Sequence, residues 1–409
     1  MERTKRWVLA LIAFFLVTVY FAHAAWPWET DVIDDGPVIG LLSLAVDESD
    51  QVYIVYNNAL SHELKIATNA TGPWVAASAD PPLQDYAAAA AVDSDHRLHV
   101  ADYSAEGITY LTNSSGSWTE TVIGPGSEPS IAVDASGHVH LCYIYSHLCY
   151  ATNRSGDWVT EELLDTYFLY TLRTSIAVDS AGHAYVRYGS YMDFPGDFFE
   201  SYATNASGSW VKTSLPLSPF ELVAFDPSIA IDSADHLHVC YMAIHVLDFI
   251  GLDLGYGTNA TGKMRASIVA SIGYNWPSRT AMATDSTNAV HIAYSYSGQA
   301  STRRLEYATN AQGGWSVSGP LTDQIGDLPP VMGVDSSGRV YISYIDEDNR
   351  LLVISGEGED LSPSWPGTPA EASAYGQTSR VSSRLFNHLA FVLLPIGVVI
   401  LLRVLRRSK

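Results

Sequence analysis

Aromatic side chains stand next to carboxylates in several stretches of the chain between residues 189 and 279. An aromatic face offers an apolar platform for a sugar ring, and a carboxylate accepts hydrogen bonds from hydroxyl groups, so together they indicate a glycan-binding surface. The same combination occurs at hot spots of protein interfaces. The candidate ligand-binding residues, for a glycan or a cell-surface protein, are Tyr191, Asp193, Phe194, Asp197, Phe198, Glu200, Phe220, Glu221, His245, Asp248, Tyr274 and Trp276.

Two other interpretations of these stretches stay open. The aromatic residues can bury one another under long loops as a satellite core. Alternatively, the protein is a carbohydrate-active enzyme, a glycoside hydrolase or lyase, and hydrolysis would need two carboxyl groups roughly 5–10 Å apart. The acids available for that role are Asp193, Asp197, Glu200, Glu221, Asp226 and Asp248. Because no stretch carries a recognisable catalytic constellation, we prefer binding and assign no catalytic residue.

A pattern that ends in aspartate recurs seven times and identifies the scaffold that must position these residues. The copies follow one another at intervals of roughly 40 to 55 residues, which is the size of a propeller blade. The third copy contains four short segments rich in β-formers, between residues 130 and 163. We therefore predict an all-β, seven-bladed β-propeller of four-stranded blades over residues 25–356. The repeated aspartates are Asp47, Asp93, Asp134, Asp179, Asp232, Asp285 and Asp335.

The two ends of the repeat array predict how the ring closes. The seventh repeat lacks its tryptophan-containing strand, whereas residues 28–33 near the N-terminus match the fourth strand of the second repeat, residues 118–123. We infer that this N-terminal strand completes the last blade, which pairs both ends of the array. Each blade then has one fourth-strand anchor: Trp28, Trp74, Trp118, Trp158, Trp210, Met264 and Trp315.

The lengths of the connections between strands indicate which face of the propeller binds a ligand. The turns after strands one and three are short and nearly identical, whereas the connections after strands two and four vary, and the two sets open on opposite faces of a propeller. Insertions collect on the face that binds. The long connections lie in blades four to six, at residues 189–200, 217–227, 242–252, 271–279 and 298–304.

Repeated polar residues are interpreted as blade-building groups. His138 and His140 have metal-ligand spacing, as do His236 and His238, but the second histidine of each pair exchanges with tyrosine between repeats. We therefore predict no metal site and no cofactor, and we interpret the repeated aspartates as turn acceptors. Five Asn-x-Ser/Thr sequons fall at one turn of successive repeats, which fits either N-glycosylation or the needs of that turn. Their asparagines are Asn69, Asn113, Asn153, Asn205 and Asn259.

The three cysteines leave two alternatives open. Cys142 and Cys149 lie on adjacent strands of one blade, and a four-residue turn between them would place them opposite each other, as a cross-strand disulfide requires. Buried free thiols are the preferred interpretation. Cys240 occupies the position equivalent to Cys142 two blades later and is expected to be unpaired.

The turn at residues 204–210, which reads Thr-Asn-Ala-Ser-Gly-Ser-Trp, resembles the Asp-box turn of sialidase-like propellers. The Asp-box aspartate is Asn or Ser here, and the Gly and Trp stand one residue closer together. The resemblance is loose and implies a propeller of that fold at the level of the blades, and we interpret the chain as a secreted prokaryotic repeat protein. Sialidases also use three arginines, a tyrosine–glutamate pair and an acidic proton donor, and no motif of this chain matches that set, so no catalytic residue is carried over.

The termini predict a surface-anchored topology. Residues 1–24 read as a signal peptide with a basic start, an apolar run and an Ala-x-Ala cleavage site, although an uncleaved anchor is the alternative. Residues 357–384 read as a flexible stalk, 385–402 as a transmembrane helix and 403–409 as a basic cytoplasmic tail. The propeller is then held outside the cytoplasmic membrane, at the cell surface. The formal charge of −22 argues against a nucleic-acid partner.

Overall fold

The structure, a computed structural model, describes residues 28–61, 63–78, 88–104, 107–164, 174–193, 197–215, 221–245, 252–273, 276–297 and 303–358. The predicted signal peptide, stalk, transmembrane helix and basic tail lie outside these residues. Among the described residues there is no helix with the length and apolarity that a membrane span requires. The described strands belong to one compact unit, with Met192–Asp197 grouped apart from it.

Seven four-stranded antiparallel sheets make up the described structure, so the predicted seven-bladed all-β propeller is confirmed. In each blade the strands follow one another from the innermost to the outermost. Blades one to three are β2 (Val38–Val46), β3 (Val52–Asn58), β4 (Leu64–Thr68) and β5 (Val75–Ser78); β6 (Ala88–Val92), β7 (Leu98–Ser104), β8 (Gly107–Thr112) and β9 (Thr119–Gly124); and β10 (Ser127–Val133), β11 (Val139–Tyr145), β12 (His147–Thr152) and β13 (Val159–Leu164).

The second half of the ring continues in the same way. Blades four to six are β14 (Ser175–Val178), β15 (Ala184–Asp193), β16 (Asp197–Thr204) and β17 (Val211–Ser214); β18 (Glu221–Ile231), β19 (Leu237–His245), β20 (Leu252–Thr258) and β21 (Arg265–Gly273); and β22 (Trp276–Thr284), β23 (Val290–Ser297), β24 (Arg303–Thr309) and β25 (Ser316–Val317). Blade seven is β26 (Val331–Val334), β27 (Arg339–Ile345), β28 (Leu351–Glu357) and β1 (Trp28–Asp34).

The ring closes as the sequence predicts, because β1 supplies the outermost strand of blade seven. It pairs antiparallel with β28, from Trp28 opposite Gly356 to Asp34 opposite Leu351. The end of β1 also reaches the first blade: Asp34 accepts hydrogen bonds from the Tyr56 hydroxyl at 2.7 Å and from Lys65 at 2.9 Å. The N-terminal strand therefore connects the last blade with the first.

Aromatic contacts between neighbouring blades form much of the core. The tryptophan before a fourth strand packs edge-on against a third-strand tyrosine of the preceding blade, as Trp158 does on Tyr110 at 5.0 Å between ring centroids. Trp28 makes the same contact with Tyr307. Aromatic pairs of this geometry contribute roughly 0.5–1.5 kcal/mol beyond the burial of their area. All seven predicted anchors pack against the apolar clusters between blades.

The repeated aspartates end the innermost strands and accept hydrogen bonds from the turns that follow. Asp93 Oδ1 accepts the backbone N–H groups of Asp95 and Arg97, both at 2.9 Å, and the other six aspartates make the equivalent bonds. The other oxygen, Oδ2, lies 3.1 Å from His99 Nε2, and His99 Nδ1 lies 2.6 Å from the Tyr110 hydroxyl. The aspartates are therefore blade-building acceptors, as predicted.

The histidine pairs with metal-like spacing share a protein carboxylate. Both His138 and His140 reach Asp134 Oδ2, at 3.0 and 3.5 Å, and His236 and His238 reach Asp232 in the same way. In blades one, four and seven a tyrosine hydroxyl takes the histidine's place on the aspartate. Histidine and tyrosine thus exchange at one structural position because the side chain of either residue can hydrogen-bond to the repeated aspartate.

The sequon asparagines serve the turns between strands three and four. Asn153 Oδ1 accepts the backbone N–H of Val139 at 2.8 Å, which joins this turn to the start of the second strand. The asparagines of five other blades make the same bond, including Asn310, whose turn has no sequon. Turn chemistry therefore explains the repeated asparagine, whereas glycosylation stays a prediction.

The predicted alignment of Cys142 opposite Cys149 is wrong. Only Ser146 separates β11 from β12, so Cys142 lies opposite Tyr150 and Cys149 lies opposite Tyr143. Side chains alternate along a strand, so the two thiols point to opposite faces of the blade. All three cysteines are buried and free, as the preferred interpretation had it, and Cys240 is unpaired as predicted.

Deleting the closing strand should destabilise the protein strongly. Removal of Trp28–Asp34 loses the β1–β28 pairing and the Trp28 contact, and we expect it to lower the free energy of unfolding by at least about 3 kcal/mol. Urea denaturation of the full chain measures the effect. A deletion of equal length within residues 370–384 is the control, and equal losses of stability in the two variants would contradict the closure.

Acid should destabilise the fold in two stages. Burial outweighs the nearby aspartates and lowers the pKa of His99, His140 and His238 below 6.5, so the unfolded chain binds protons more readily than the folded chain below that pH. Burial works to raise the pKa of Asp93, but the backbone N–H of Arg97 and the His99 ring lower it overall, so further stability is lost below pH 3.8.

Denaturant titrations between pH 8 and 3 measure these losses. Replacing His99, His140 and His238 by tyrosine, which three blades already use at this position, should reduce the decline that begins near pH 6.5. The later decline should remain. A triple variant with an unchanged first stage would show that these histidines do not cause it.

Candidate functional site

A pocket on the propeller axis is the candidate site. Its volume is about 270 Å³, and the innermost segments of all seven blades line it. The lining residues stand three to six positions before the repeated aspartates, so the pocket lies toward the ends of the inner strands that carry the variable connections. We call this side of the ring the variable face and the opposite side the turn face. The lining residues are Leu42, Ser43, Leu44, Ala89, Glu128, Pro129, Ser130, Thr174, Ser175, Ser228, Thr280, Ala281, Met282, Pro329, Pro330, Val331 and Met332.

The lining combines hydroxyl groups with apolar surface. Serine or threonine comes from five of the inner segments, at positions 43, 130, 174, 175, 228 and 280. Leucine, alanine, valine, methionine and proline side chains fill the spaces between them. A sugar presents hydroxyl groups around its rim and C–H groups on its faces, so this lining offers partners for both kinds of surface.

Several of these hydroxyls also tie neighbouring blades together around the axis. Ser43 Oγ accepts the backbone N–H of Ala90 at 2.8 Å. Ser130 Oγ accepts the backbone N–H of Ile176 at 3.2 Å, and Thr174 Oγ1 donates to the carbonyl of Glu128 at 2.8 Å. A hydroxyl has one donor and two acceptor positions, so each keeps capacity for a ligand while its orientation is held by the fold.

Glu128 is the single ionisable residue among the described residues that line the pocket. Its φ of 53° lies in the left-handed region, and the β10–β11 register shifts between Ser127 and Ser130. A bulge of this kind re-aims the chain, and left-handed backbone at a non-glycine residue is a strained conformation that tends to cluster at functional sites. Glu128 is not among the site residues predicted from the sequence, in which its only local signal is the Glu-Pro pair.

The buried thiols behind the pocket are structural. Burial raises the pKa of Cys142 to about 12 and that of Cys240 to about 11, so both stay protonated at neutral pH. Reactive cysteines need a lowered pKa, so these two residues are unsuited to act as nucleophiles. Among the described residues, no group of three or more His, Cys, Asp or Glu is arranged to hold a metal ion.

Many of the predicted site residues lie on strands rather than on loops. The described parts of the stretches predicted as insertions extend the strands of blades four to six, because a long hairpin pairs the backbone groups that a loop would leave unpaired. Their backbones place Tyr191 and Asp193 on β15, Asp197, Phe198 and Glu200 on β16, Glu221 and Asp226 on β18, His245 on β19 and Trp276 on β22. Phe194, Phe220, Asp248 and Tyr274 lie outside the described residues.

The sequence therefore identified the blades that carry the variable elements, and the ligand-binding role of these residues stays a prediction. The structure adds the axial pocket, which was not predicted from the sequence because its members are one to four residues from each of seven repeats. Apart from Glu128, each is a Ser, Thr, Pro or apolar residue that does not stand out in its own repeat. Their common spacing before the repeated aspartate was the signal that could have grouped them.

Comparison with known proteins identifies relatives in fold. No protein-family model matches the chain, and no curated protein matches it. An ulvan lyase from a new family of polysaccharide lyases, bound to GlcA(1-4)Rha3S, matches with a TM-score of 0.57 and 11% identity, over 80% of this chain and 96% of the lyase.

Two further solved structures are similar at lower scores. The polysaccharide lyase Uly1 matches with a TM-score of 0.49 and 10% identity over 81% of this chain and 99% of the lyase. A mutant Aleuria aurantia lectin in complex with Fucα1-6GlcNAc matches with a TM-score of 0.47 and 11% identity, over 72% of this chain and 98% of the lectin. At such identities these similarities concern the fold.

The strain at Glu128 should show in paired substitutions. Glycine adopts a φ of 53° freely, so we expect Glu128→Gly to be more stable than Glu128→Ala by about 1 kcal/mol. At Ser130, where no left-handed backbone is present, we expect Ser130→Ala to be more stable than Ser130→Gly, because glycine gives the unfolded chain more freedom. Urea titrations of the four variants measure both differences. The same order at both positions would refute the strain.

Proposed function

We propose that this protein is a glycan-binding module whose ligand enters the axial pocket from the variable face. The observation that carries the proposal is the pocket itself, which combines hydroxyl groups from five blades with apolar side chains in about 270 Å³. Ligand pockets are concave and mostly apolar, with a few placed polar groups. A protein partner, by contrast, usually needs a surface of roughly 800 Å² on each side, which the pocket does not offer.

The rigidity of the lining supports this proposal. Hydroxyls that already bond across blades do not need to be ordered when a ligand arrives, which reduces the entropic cost of binding. Those predicted aromatic and acidic residues of blades four to six that the structure describes belong to strands that end at the variable face, where they would contact a longer glycan beyond the pocket. The fold match to a saccharide-bound ulvan lyase agrees with a glycan as the ligand class.

A carbohydrate-active enzyme is the second candidate function, and Glu128 is the observation that favours it. A carboxylate on strained backbone inside a pocket fits a residue held for chemistry. Hydrolysis would still need a second carboxyl group at roughly 5–10 Å from the first, and Glu128 is the one carboxylate among the pocket's described lining residues. We therefore place binding ahead of catalysis.

A location outside the cytoplasmic membrane is proposed from the sequence alone. We propose that residues 1–24 direct export and that residues 385–402 anchor the protein in the cytoplasmic membrane, with the propeller outside. Digestion of intact cells with an added protease would release the propeller from an outside position. Full protection until the cells are opened would place the propeller inside.

Filling the pocket should abolish glycan binding. We expect Ser228→Tyr, and independently Ala89→Phe, to weaken binding to the best ligand of a glycan array by more than tenfold, which is about 1.4 kcal/mol. Ser136→Tyr, on the exposed turn face, is the matched control and should bind normally. Thermal melts of each variant separate lost binding from lost folding.

The same experiment distinguishes the two candidate functions. Product release from the bound glycan is followed with the parent protein and with Glu128→Gln. Turnover that Glu128→Gln abolishes would replace the binding module with an enzyme. If no glycan binds, or if the two pocket variants bind as well as the control, the proposed site is wrong.

A further inference from the structure

Exposed apolar side chains on this propeller follow the repeat, with two exceptions. Nine large apolar residues of the described part of the chain are exposed, and seven of them lie on the outermost strands, one in each blade. The other two, Leu60 and Tyr145, lie in hairpins between second and third strands, which open on the variable face. Tyr145 is the one aromatic residue of the nine, and 52% of its surface is exposed.

The same repeat position in blade six shows that the fold does not require an exposed tyrosine there. Tyr296 is the seventh residue of β23, as Tyr145 is of β11, but it is only 8% exposed and packs in the core between blades five and six. Its hydroxyl donates to Glu306 Oε1 at 2.6 Å. The side chain of Tyr145, by contrast, has neither a hydrogen bond nor an aromatic contact within the described part of the chain. Its ring is therefore accessible to a ligand.

A strained turn holds Tyr145 in this position. Ser146 alone separates β11 from β12, and its φ of 49° lies in the left-handed region, which is uncommon for a non-glycine residue and tends to occur at functional sites. Tyr145 pairs with His147 across this turn, so the two side chains project to the same side of the sheet. Ser146 Oγ lies 3.0 Å from His147 Nδ1. The tip of the hairpin thus combines an exposed ring with hydrogen-bonding groups.

The register of blade three places this tip beside the axial pocket. Ser127 on β10 pairs with Ile144 on β11, and the next residue, Glu128, lines the pocket. Paired residues of antiparallel strands have Cα atoms about 4.5–5.5 Å apart. The approach to β10 is also closely packed, since a Cβ added to Gly126 would lie 3.1 Å from the Ile144 carbonyl oxygen. The backbone of Tyr145 is therefore held one strand outward from the pocket lining, on the same face.

The size of the pocket requires a longer glycan to continue over this face. The pocket volume of about 270 Å³ lies just below the roughly 300–1,000 Å³ of sites that enclose drug-sized ligands. Such a pocket accommodates the terminal sugar of a glycan rather than a whole oligosaccharide. A glycan that leaves the pocket past Glu128 crosses β10 and β11 and reaches Tyr145.

We propose that Tyr145 forms a second glycan subsite, in which its ring stacks on a sugar adjacent to the one held in the axial pocket. This inference rests on the proposed glycan-binding function, and it specifies the ligand as an oligosaccharide. The ring covers the C–H groups on one face of the sugar, while the Tyr145 and Ser146 hydroxyls meet hydroxyl groups at its rim. Because the short hairpin is already ordered, stacking on it costs little conformational entropy.

The test compares an oligosaccharide with its own end sugars, using the full chain in detergent. The probes are the oligosaccharide that a glycan array selects and the methyl glycosides of its two end sugars, and NMR titrations measure their affinities. We expect Tyr145→Ala to weaken binding of the oligosaccharide by roughly three- to tenfold, because one aromatic contact is lost, and to leave binding of the methyl glycosides unchanged. Tyr145→Phe and Tyr145→Trp keep a ring and should retain most of the affinity for the oligosaccharide.

Val159→Ala is the matched control, since it removes an exposed apolar side chain from the outermost strand of the same blade. It should bind all probes as the parent does, and both alanine variants should melt with the parent. The subsite is wrong if Tyr145→Ala binds the oligosaccharide as tightly as the parent, or if it weakens the oligosaccharide and the methyl glycosides equally, while Ser228→Tyr still blocks the pocket. If no glycan binds, or if Ser228→Tyr leaves binding intact, the proposed function fails and the subsite fails with it.

Discussion

A buried carboxylate at the end of each innermost strand is the group on which the rest of the propeller depends. One oxygen of Asp93 holds the first turn of its blade through two backbone N–H groups, and the other meets the ring of His99. His99 in turn bonds Tyr110, and Tyr110 supports the tryptophan of the following blade. One side chain thus connects a turn, the second and third strands and the neighbouring blade. A buried carboxylate is stable only when it is fully hydrogen-bonded, which explains why its partners recur with it.

Ring closure turns these local contacts into a rigid frame. The N-terminal strand completes blade seven, and on the turn face Ser336 of that blade donates to Asp50 of blade one at 2.8 Å. The closing interface is tight, since a Cβ added to Gly333 would lie 2.6 Å from Leu44 and 2.7 Å from Val46 of the first blade. Seven inner strands held in this way define the axial pocket. The closed ring holds the hydroxyl groups of the pocket in fixed orientations.

Departures from the repeat are the informative positions in such a protein. Where a residue recurs in every blade, its role in building blades explains it, as with the aspartates and the sequon asparagines. Glu128 has no such explanation, because the other blades fold without it. It also costs stability, because its backbone is in the left-handed region. A feature that is costly and unnecessary for the fold is the kind that function retains.

The sequence by itself determined the number of blades, their four strands, the closing strand and the tryptophan anchors. These follow from period and alternation along the chain, which local residue types specify. Only the tertiary structure decided that Cys142 and Cys149 face apart, since the single-residue turn at Ser146 sets the register. It also decided that the described parts of the expected insertions are strand extensions and that Glu128 lies on a bulge in the axial pocket. The pocket joins residues from different blades, and the distance between blades is set by packing in the direction perpendicular to the sheets, which a linear pattern does not encode.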